Sequence, residues 1–323
     1  MRAAQVKAFG GPEVLAPVDL PDPAPAPGEV LIDVAYADTI YVETQTRAGW
    51  GREFFPVTPP YVPGGGVSGV VAALGADVPD EWLGRRVVSF VQGSYAERAV
   101  APVSALTVVP DSVDLLRAAA LVHDGVTASG LLERTAVGAV DRVLVLGASG
   151  GMGTLLIQLA QAREARVVAV ARGAAKLSLV RELGADAVVD ATRPDWVAAA
   201  REALGGPEPA ADVVLDGVGG PLGAAAFPLT ADGGRFSAHG APTGAFSPVD
   251  PAEAARRGIT LFGIADVQFS PADLRRFTTA ALEEAAAGRL HPVVGEVFPL
   301  DRAAEAHAAI EDRRLVGKAL LKV

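Results

Sequence analysis

The chain has 323 residues, half of them hydrophobic, with 28 basic and 38 acidic residues and a formal net charge of −10. That length and apolar content suit about two domains with buried cores, while the acidic balance and the lack of a basic run argue against nucleic acid or an anionic membrane surface as the main partner. The absence of cysteine excludes disulfides, thiolate catalysis and sulfur-ligated zinc, and the first thirty residues hold no apolar run of the kind that leads a secreted chain, so a cytoplasmic protein is expected.

From the N-terminus, residues 21–29, PDPAPAPGE, predict a stiff proline-rich connector and no helix. Short strands are expected at Val30–Ala35, Val67–Leu74, Arg86–Phe90 and Tyr95–Val100, separated by Pro and Gly, so the first 115 residues read as all-β. Trp50, Phe54 and Phe55 form an aromatic group that could stack on a flat substrate or simply anchor a loop. The four histidines, His123, His239, His291 and His307, have no second histidine three or four positions away. That spacing speaks for surface or locally hydrogen-bonded residues and against a metal site.

At Asp141 the pattern changes. Strands are expected at Arg142–Leu146, Arg166–Val170, Ala187–Val189, Asp212–Leu215, Arg235–Ala238 and Ile259–Ile264, with helices at Thr154–Ala162, Ala174–Leu183, Asp195–Leu204 and Pro221–Thr230 between them. Strands spaced by helices of this length imply a parallel six-stranded sheet covered on both faces, a Rossmann domain. Its first strand runs into Gly147, Gly150 and Gly153, where missing side chains let the backbone turn tightly, a pyrophosphate approach the helix N-terminus, and the helix lie close on the sheet. The second strand is followed by Arg172, Gly173 and Lys176, with no acid anywhere between Ala165 and Val180. NAD sites usually place an acid there for the ribose hydroxyls, whereas a 2′-phosphate needs cations, so the pair reads as a grip for NADPH, the alternative being two solvated surface cations. Asp216-Gly-Val-Gly-Gly220, with Val218 at its centre, sits at the carboxyl end of the fourth strand, across the switch point, where the nicotinamide half would lie. The tail predicts a strand at Val293–Pro299, a helix from Asp301 to about Arg313 and a final strand at Lys318–Val323, too little to fold alone and therefore expected to complete the β domain. A dinucleotide domain inserted into a β domain, with a cleft between the two, is the resulting expectation.

These features resemble the medium-chain dehydrogenase/reductase superfamily, in particular its zinc-free quinone oxidoreductase (zeta-crystallin-like) branch, over essentially the whole chain. The resemblance is carried by Val42-Glu-Thr-Gln-Thr-Arg-Ala-Gly49, Pro63-Gly64 with Gly69, Gly147-Ala-Ser-Gly-Gly-Met-Gly153 and Lys176-Leu-Ser-Leu-Val-Arg-Glu-Leu-Gly-Ala-Asp186. Asp216-Gly-Val-Gly-Gly220, the ending Pro299-Leu-Asp-Arg-Ala-Ala-Glu-Ala-His307 and Gly317-Lys318 belong to it too. It implies an α/β fold in which a GroES-like, mainly-β catalytic domain (1–118 and 276–323) carries an inserted Rossmann domain (119–275), and a homodimer formed through the last Rossmann strand. By the same resemblance Ser149, Gly150, Gly151 and Met152 belong to the pyrophosphate turn, Arg172 and Lys176 lie at the 2′-phosphate, and Thr127 lies beside the nicotinamide. The backbone of His239, Gly240 and Ala241 and of Phe262, Gly263 and Ile264 lines its amide end, and Lys318 is counted with the cofactor residues. Thr127 is alternatively an ordinary helix residue.

Departures from the family bear on the chemistry. Where zinc-dependent relatives place a cysteine and a His-Glu pair, this chain has Ile40 and Gly65-Gly66, so no catalytic metal is expected. The asparagine and tyrosine of zinc-free relatives are replaced by Ile40 and by Trp50-Gly51. Oxidising a simple alcohol requires removal of a hydroxyl proton, whereas a quinone or α,β-unsaturated carbonyl spreads the incoming charge onto an oxygen that a few hydrogen bonds stabilise. The expectation is a metal-free NADPH-dependent reductase of such an acceptor, with Tyr41, His123 and Thr127 as candidates for oxygen stabilisation or protonation. Two alternatives stay open: an enoyl-thioester reductase, for which Arg47 and Arg52 could form a basic entry, and a non-catalytic NADPH-binding sensor or scaffold.

Overall fold

The structure is a computed structural model that describes residues 1–205 and 211–323. Contacts divide the chain into two units, Met1–Val126 with Pro271–Val323, and Thr127–Ser270.

The first unit opens with a hairpin-like pair, β1 (Arg2–Val6) antiparallel to β2 (Leu15–Asp19). The proline-rich connector forms no helix, and its prolines lead directly into β3 (Glu29–Asp38), the longest strand of this unit and its hub. Val30, Ile32 and Val34 alternate into the core with almost no exposure, the period-two signature of a strand with one buried face. Then follow α1 (Tyr41–Arg47), β4 (Gly66–Leu74), β5 (Arg86–Phe90), β6 (Arg98–Pro102), β7 (Leu106–Val108) and α2 (Leu115–Val122), which Asp114 caps by accepting from the Arg117 N–H at 2.8 Å.

Helix α3 (Asp124–Arg134) carries the chain into the second unit. There β8 (Arg142–Leu146), α4 (Gly151–Gln161), β9 (Arg166–Ala171), α5 (Ala174–Glu182), β10 (Ala187–Asp190) and α6 (Trp196–Ala203) alternate with β11 (Ala211–Asp216), α7 (Gly220–Ala226), β12 (Thr230–Ala238), α8 (Pro251–Arg256) and β13 (Thr260–Phe262). Among the described residues the six strands lie in the order β10-β9-β8-β11-β12-β13, every neighbouring pair parallel. This is the doubly wound order, with its reversal between β8 and β11. The strands are apolar almost throughout because helices cover both faces: Leu144, Val168, Val214 and Phe236 are sealed together with Trp196, Ala226 and Ile259.

The chain returns to the first unit through α9 (Pro271–Ala286), β14 (Val294–Pro299), α10 (Ala303–Glu311) and β15 (Lys318–Lys322). Strand β15 pairs antiparallel with the end of β3, Leu320 opposite Asp38, and β14 adds in parallel at the edge, so the tail completes a sheet ordered β14-β15-β3-β4-β5-β7 with β6 on the first half of β3. No helix among the described residues is long and apolar enough to cross a membrane.

Three local expectations are corrected. The first 115 residues are not all-β, because α1 interrupts them. Helix α1 buries Glu43, Thr44, Thr46 and Arg47 rather than an apolar stripe, so hydrophobic periodicity could not reveal it. Tyr95–Ala96 lies outside β6, the Tyr95 N–H donating instead to Pro63 O at 3.0 Å. The segment from Pro221 is helical only to Ala226; Pro228 lacks an N–H, the chain tightens into a 3₁₀ turn, and Thr230 already belongs to β12.

Candidate active site

In the second unit β8, β11 and β12 are neighbours in one parallel sheet, so their carboxyl ends lie side by side. Gly147 follows β8 with φ +73°, a conformation that glycine adopts without strain. A Cβ on Gly153 would stand 2.5 Å from Gly147 O, so only glycine lets the first turn of α4 lie on the strand end. Gly150, the N-cap of α4, is different. It makes no side-chain cap, and a Cβ there would sit 3.4 Å from its nearest neighbour, an ordinary contact. The packing of the described residues does not require glycine at 150, which lies exposed at the N–H groups that begin α4.

Beyond β9 the turn bears Arg172, exposed, and Lys176, half-buried in the first turns of α5. Gly173 has φ +81° with nothing within 4 Å of a would-be Cβ, so it is there for its conformation. Asp190, unnoticed in the sequence, accepts from the Gly173 N–H at 3.3 Å and from Thr192 at 2.9 and 2.8 Å. The Thr192 hydrogen bonds hold its carboxyl below the usual range.

The loop after β11 is tied down by Asp216, which is fully buried. One carboxylate oxygen accepts from the N–H groups of Val218 and Gly219, both at 2.9 Å, and the other accepts from Ser247 Oγ. Its donors make it an anchor of the loop. Val218 reaches toward Gly147, and a Cβ on Gly217 would meet Leu146 O, His239 Nε2 at 3.5 Å and the Met152 methyl. Gly240 packs on the Gly217 backbone, and Ala241 is buried beside it. His239 Nδ1 lies 3.1 Å from Ser237 Oγ, while Nε2 is buried with no hydrogen-bond partner among the described residues. Burial pushes this imidazole down to about 4 against the pull of Asp216, so it is neutral and its free nitrogen can accept or donate according to tautomer. Phe262 stands opposite Ser237 in the β12–β13 pairing, and the Gly263 N–H is taken by Asp266 at 2.7 Å ahead of Ile264. Gly147, Met152, Gly153, Val218, His239, Gly240 and Ala241 therefore meet in space; Ser149 is buried just after Gly147, and Gly151 opens α4. Thr127 is half-buried on α3.

The first unit holds two polar clusters. In one, Lys318 Nζ lies 2.6 Å from Asp38 Oδ1 and 3.1 Å from Asp124 Oδ2, and His123 Nδ1 lies 3.3 Å from Asp38 Oδ2. Burial drives the Asp38 carboxyl up, but the Lys318 ammonium and His123 outweigh it and hold it below the usual range; Asp124, half-buried, stays raised despite Lys318. Burial lowers Lys318, yet Asp124 and Asp38 carry it above its ordinary value. Two carboxylates share its charge in this cluster. In the other cluster the Tyr95 hydroxyl donates to Glu43 Oε2 at 2.6 Å and lies 3.0 Å from His307 Nε2, while Ile40 N–H donates to the same carboxylate oxygen at 2.9 Å. Burial, opposed by the Tyr95 hydrogen bond, pushes Glu43 up to about 7, and burial with the nearby Arg47 charge pushes His307 down to about 3. His307 is thus a core residue whose partner is distant in sequence, contrary to the surface or local role expected of it. Neither cluster was legible as a whole in the sequence: His123 and Asp124 are neighbours, but the contacts Tyr95–Glu43 and Lys318–Asp38 span 52 and 280 positions.

Tyr41 begins α1, half-buried. Trp50 is half-buried, and its N–H donates to Gln45 O at 2.9 Å at the end of α1. Phe54 is 48% exposed, with its ring 6.5 Å from that of Phe55. Arg47, expected at a basic entry, is 1% exposed and paired with Glu311, so it cannot greet a carrier; Arg52 stacks on Phe9 with its guanidinium 5.0 Å from the ring centre. A zinc site does not fit this donor set. Cysteine is absent, a Cβ on Gly65 would meet the His123 ring at 2.9 Å and one on Gly66 would meet Val122 at 2.8 Å. Among the described residues no group of three His, Asp or Glu could hold a metal ion.

The family described as alcohol dehydrogenase GroES-like domain matches residues 26–111, and the one described as zinc-binding dehydrogenase matches residues 183–321. The quinone oxidoreductase of Sus scrofa is 31% identical over 99% of this chain and 97% of its own length. The chain belongs to the quinone oxidoreductase branch of the medium-chain dehydrogenase/reductase superfamily. Two solved structures cover this dehydrogenase/reductase completely at 32% identity: a mycobacterial protein complexed with NADPH, with TM-score 0.90, and an NAD-dependent alcohol dehydrogenase, with TM-score 0.89. The superfamily is one of oxidoreductases, and its two-part architecture, a GroES-like portion and a doubly wound sheet, is the one described above.

Proposed function

We propose that this oxidoreductase is a reductase of quinones or α,β-unsaturated carbonyls that uses NADPH and no metal ion. The observation that carries the reading is the Gly150 cradle, which the protein's own packing leaves open, in the same βαβ unit as Arg172 and Lys176. NADPH, when bound, supplies the hydride equivalent. The chain's own residues do the rest. Gly147, Ser149, Gly150, Gly151, Met152 and Gly153 form the turn that receives the pyrophosphate at the start of α4. Arg172 and Lys176 grip the 2′-phosphate. Thr127, Val218, the backbone of Gly240, Ala241, Phe262, Gly263 and Ile264, and the free Nε2 of neutral His239 orient the nicotinamide end. Trp50, Phe54 and Phe55 offer flat surfaces for a conjugated acceptor, and Tyr41 a hydroxyl for its oxygen. His123 holds at Nε2 the proton that complements the hydride, so that acceptor, hydride and one proton give the reduced product. Such an acceptor needs no base strong enough to ionise an alcohol, in keeping with Ile40, Gly65 and Gly66 where relatives place zinc ligands. The reading includes a homodimer joined through β13, a strand that lies at a sheet edge with Leu261 37% exposed.

Replacing Arg172 and Lys176 by alanine is expected to weaken NADPH by about ten- to hundredfold, two charge-assisted contacts being lost, with NADH little affected. Fluorescence titration with each cofactor checks the grip, and loss of reduced-nicotinamide absorbance with quinone and enone acceptors checks the reaction. Equal weakening of both cofactors, or no turnover with any acceptor, overturns the reading.

A further inference from the structure

We infer that Asp38 orients His123 for proton delivery, with Lys318 and Asp124 fixing Asp38 in turn. The inference rests on the reading that His123 supplies the proton. Asp38 ends β3 and is 1% exposed, while the Lys318 ammonium, on β15, is 4% exposed. A buried carboxylate and ammonium are costly to desolvate, and a strut between β3 and β15 would need one of each. The backbone already joins these strands at Leu320–Asp38, Leu321–Ala37 and Lys322–Tyr36. Yet a second carboxylate, Asp124, shares the ammonium at 3.1 Å, which leaves the group with more acid than base. His123 Nδ1 is buried and 3.3 Å from Asp38 Oδ2 without a formed hydrogen bond, while the side chain keeps 27% of its surface.

The rest of the ring's seat is built for it. Phe90 on β5 meets it edge-on with centroids 4.9 Å apart, and Gly65 leaves the space into which Cε1 projects, since any Cβ there would come within 2.9 Å. The charged groups around the ring are Asp38 from β3, Lys318 behind it from β15, Asp124 from α3 and, through its field, Glu43 from α1. With Nδ1 turned to a carboxylate, Nε2 is the nitrogen left for chemistry, the arrangement by which a carboxylate selects the tautomer of a catalytic imidazole. In the imidazolium the Nε2–H bond breaks as the proton passes to the enolate or hydroquinone anion formed on the acceptor. The ring becomes neutral with its remaining proton on Nδ1, and water returns the lost one. At 3.3 Å the Asp38 contact is longer than a charge-assisted hydrogen bond and is expected to shorten in the charged form.

The test combines a spectroscopic and a kinetic readout. In ¹⁵N-histidine-labelled protein, neutral His123, assigned by the signal missing in His123→Gln, is expected as the Nδ1–H tautomer; a predominant Nε2–H form overturns the inference. Asp38→Asn is expected to lower kcat by about ten- to hundredfold with KM for NADPH unchanged. Parental kcat in that variant overturns the inference, as does parental turnover in His123→Gln. Should Asp38→Asn fail to fold, or the protein oxidise no NADPH, the tautomer in the unaltered chain decides the positioning claim, separately from the reductase reading.

Discussion

Gly150 and Gly153 sit three residues apart in the same turn yet answer to different demands. An alanine methyl at 153 would press on Gly147 O at 2.5 Å and on Ala148 backbone at 2.7 Å, so Gly153→Ala is expected to cost about 1–3 kcal/mol in a urea melt. Gly150→Ala meets only an ordinary 3.4 Å contact. It should leave stability within about 0.5 kcal/mol while weakening NADPH at least tenfold, measured by titration calorimetry. If both variants lose stability alike, the open cradle is not a ligand's space. Glu43 makes a prediction of the opposite kind. Its folded-state value of about 7 lies above the ordinary 4.5, so the native state binds the extra proton between those limits and stability falls as pH rises through them. Glu43→Gln keeps an oxygen for Tyr95 and Ile40 without the charge. Its advantage over the parent should be small below pH 4.5 and grow to about 3 kcal/mol above pH 7, read from urea melts across that range. A difference that does not vary with pH would show that Glu43 is not held protonated.

At the scale of elements, parallel pairing brings together what sequence distance hides. The register of β9 with β10 sets Asp190 opposite Ala171, beside the turn that bears Arg172, and so an acid reaches a region where the local sequence has none. Asp190→Asn is expected to tighten NADPH severalfold and leave NADH unchanged, because a carboxylate near the proposed 2′-phosphate grip is removed while an oxygen remains for Gly173 and Thr192. Tryptophan-to-nicotinamide energy transfer measures both, and an equal effect on the two cofactors would place Asp190 away from that phosphate. The long βαβ elements were legible because buried parallel strands and their helices write strong apolar patterns. Helix α1 was not. Its buried face carries Glu43 and Arg47, whose partners Tyr95 and Glu311 come from distant parts of the chain, and such partners make the burial tolerable.

For the whole molecule, the proposed homodimer extends the doubly wound sheet at β13, an edge strand among the described residues. Leu261→Arg places like charges near each other across a two-fold edge, so sedimentation should show a dimer becoming a monomer. An unchanged dimer would move the interface elsewhere. The sequence by itself determined the strand–helix alternation, the glycines of the nucleotide turn, the cations after β9 and the missing zinc donors, since each depends on residues adjacent in the chain or on residue type alone. Only the tertiary structure decided which ionisable groups share a buried space: Asp38 with His123, Lys318 and Asp124, Glu43 with Tyr95 and His307, and the unpartnered nitrogen of His239. The physical reason is that burial and charge pairing arise between segments far apart along the chain, and nothing local records which carboxylate a distant strand will bring beside an imidazole.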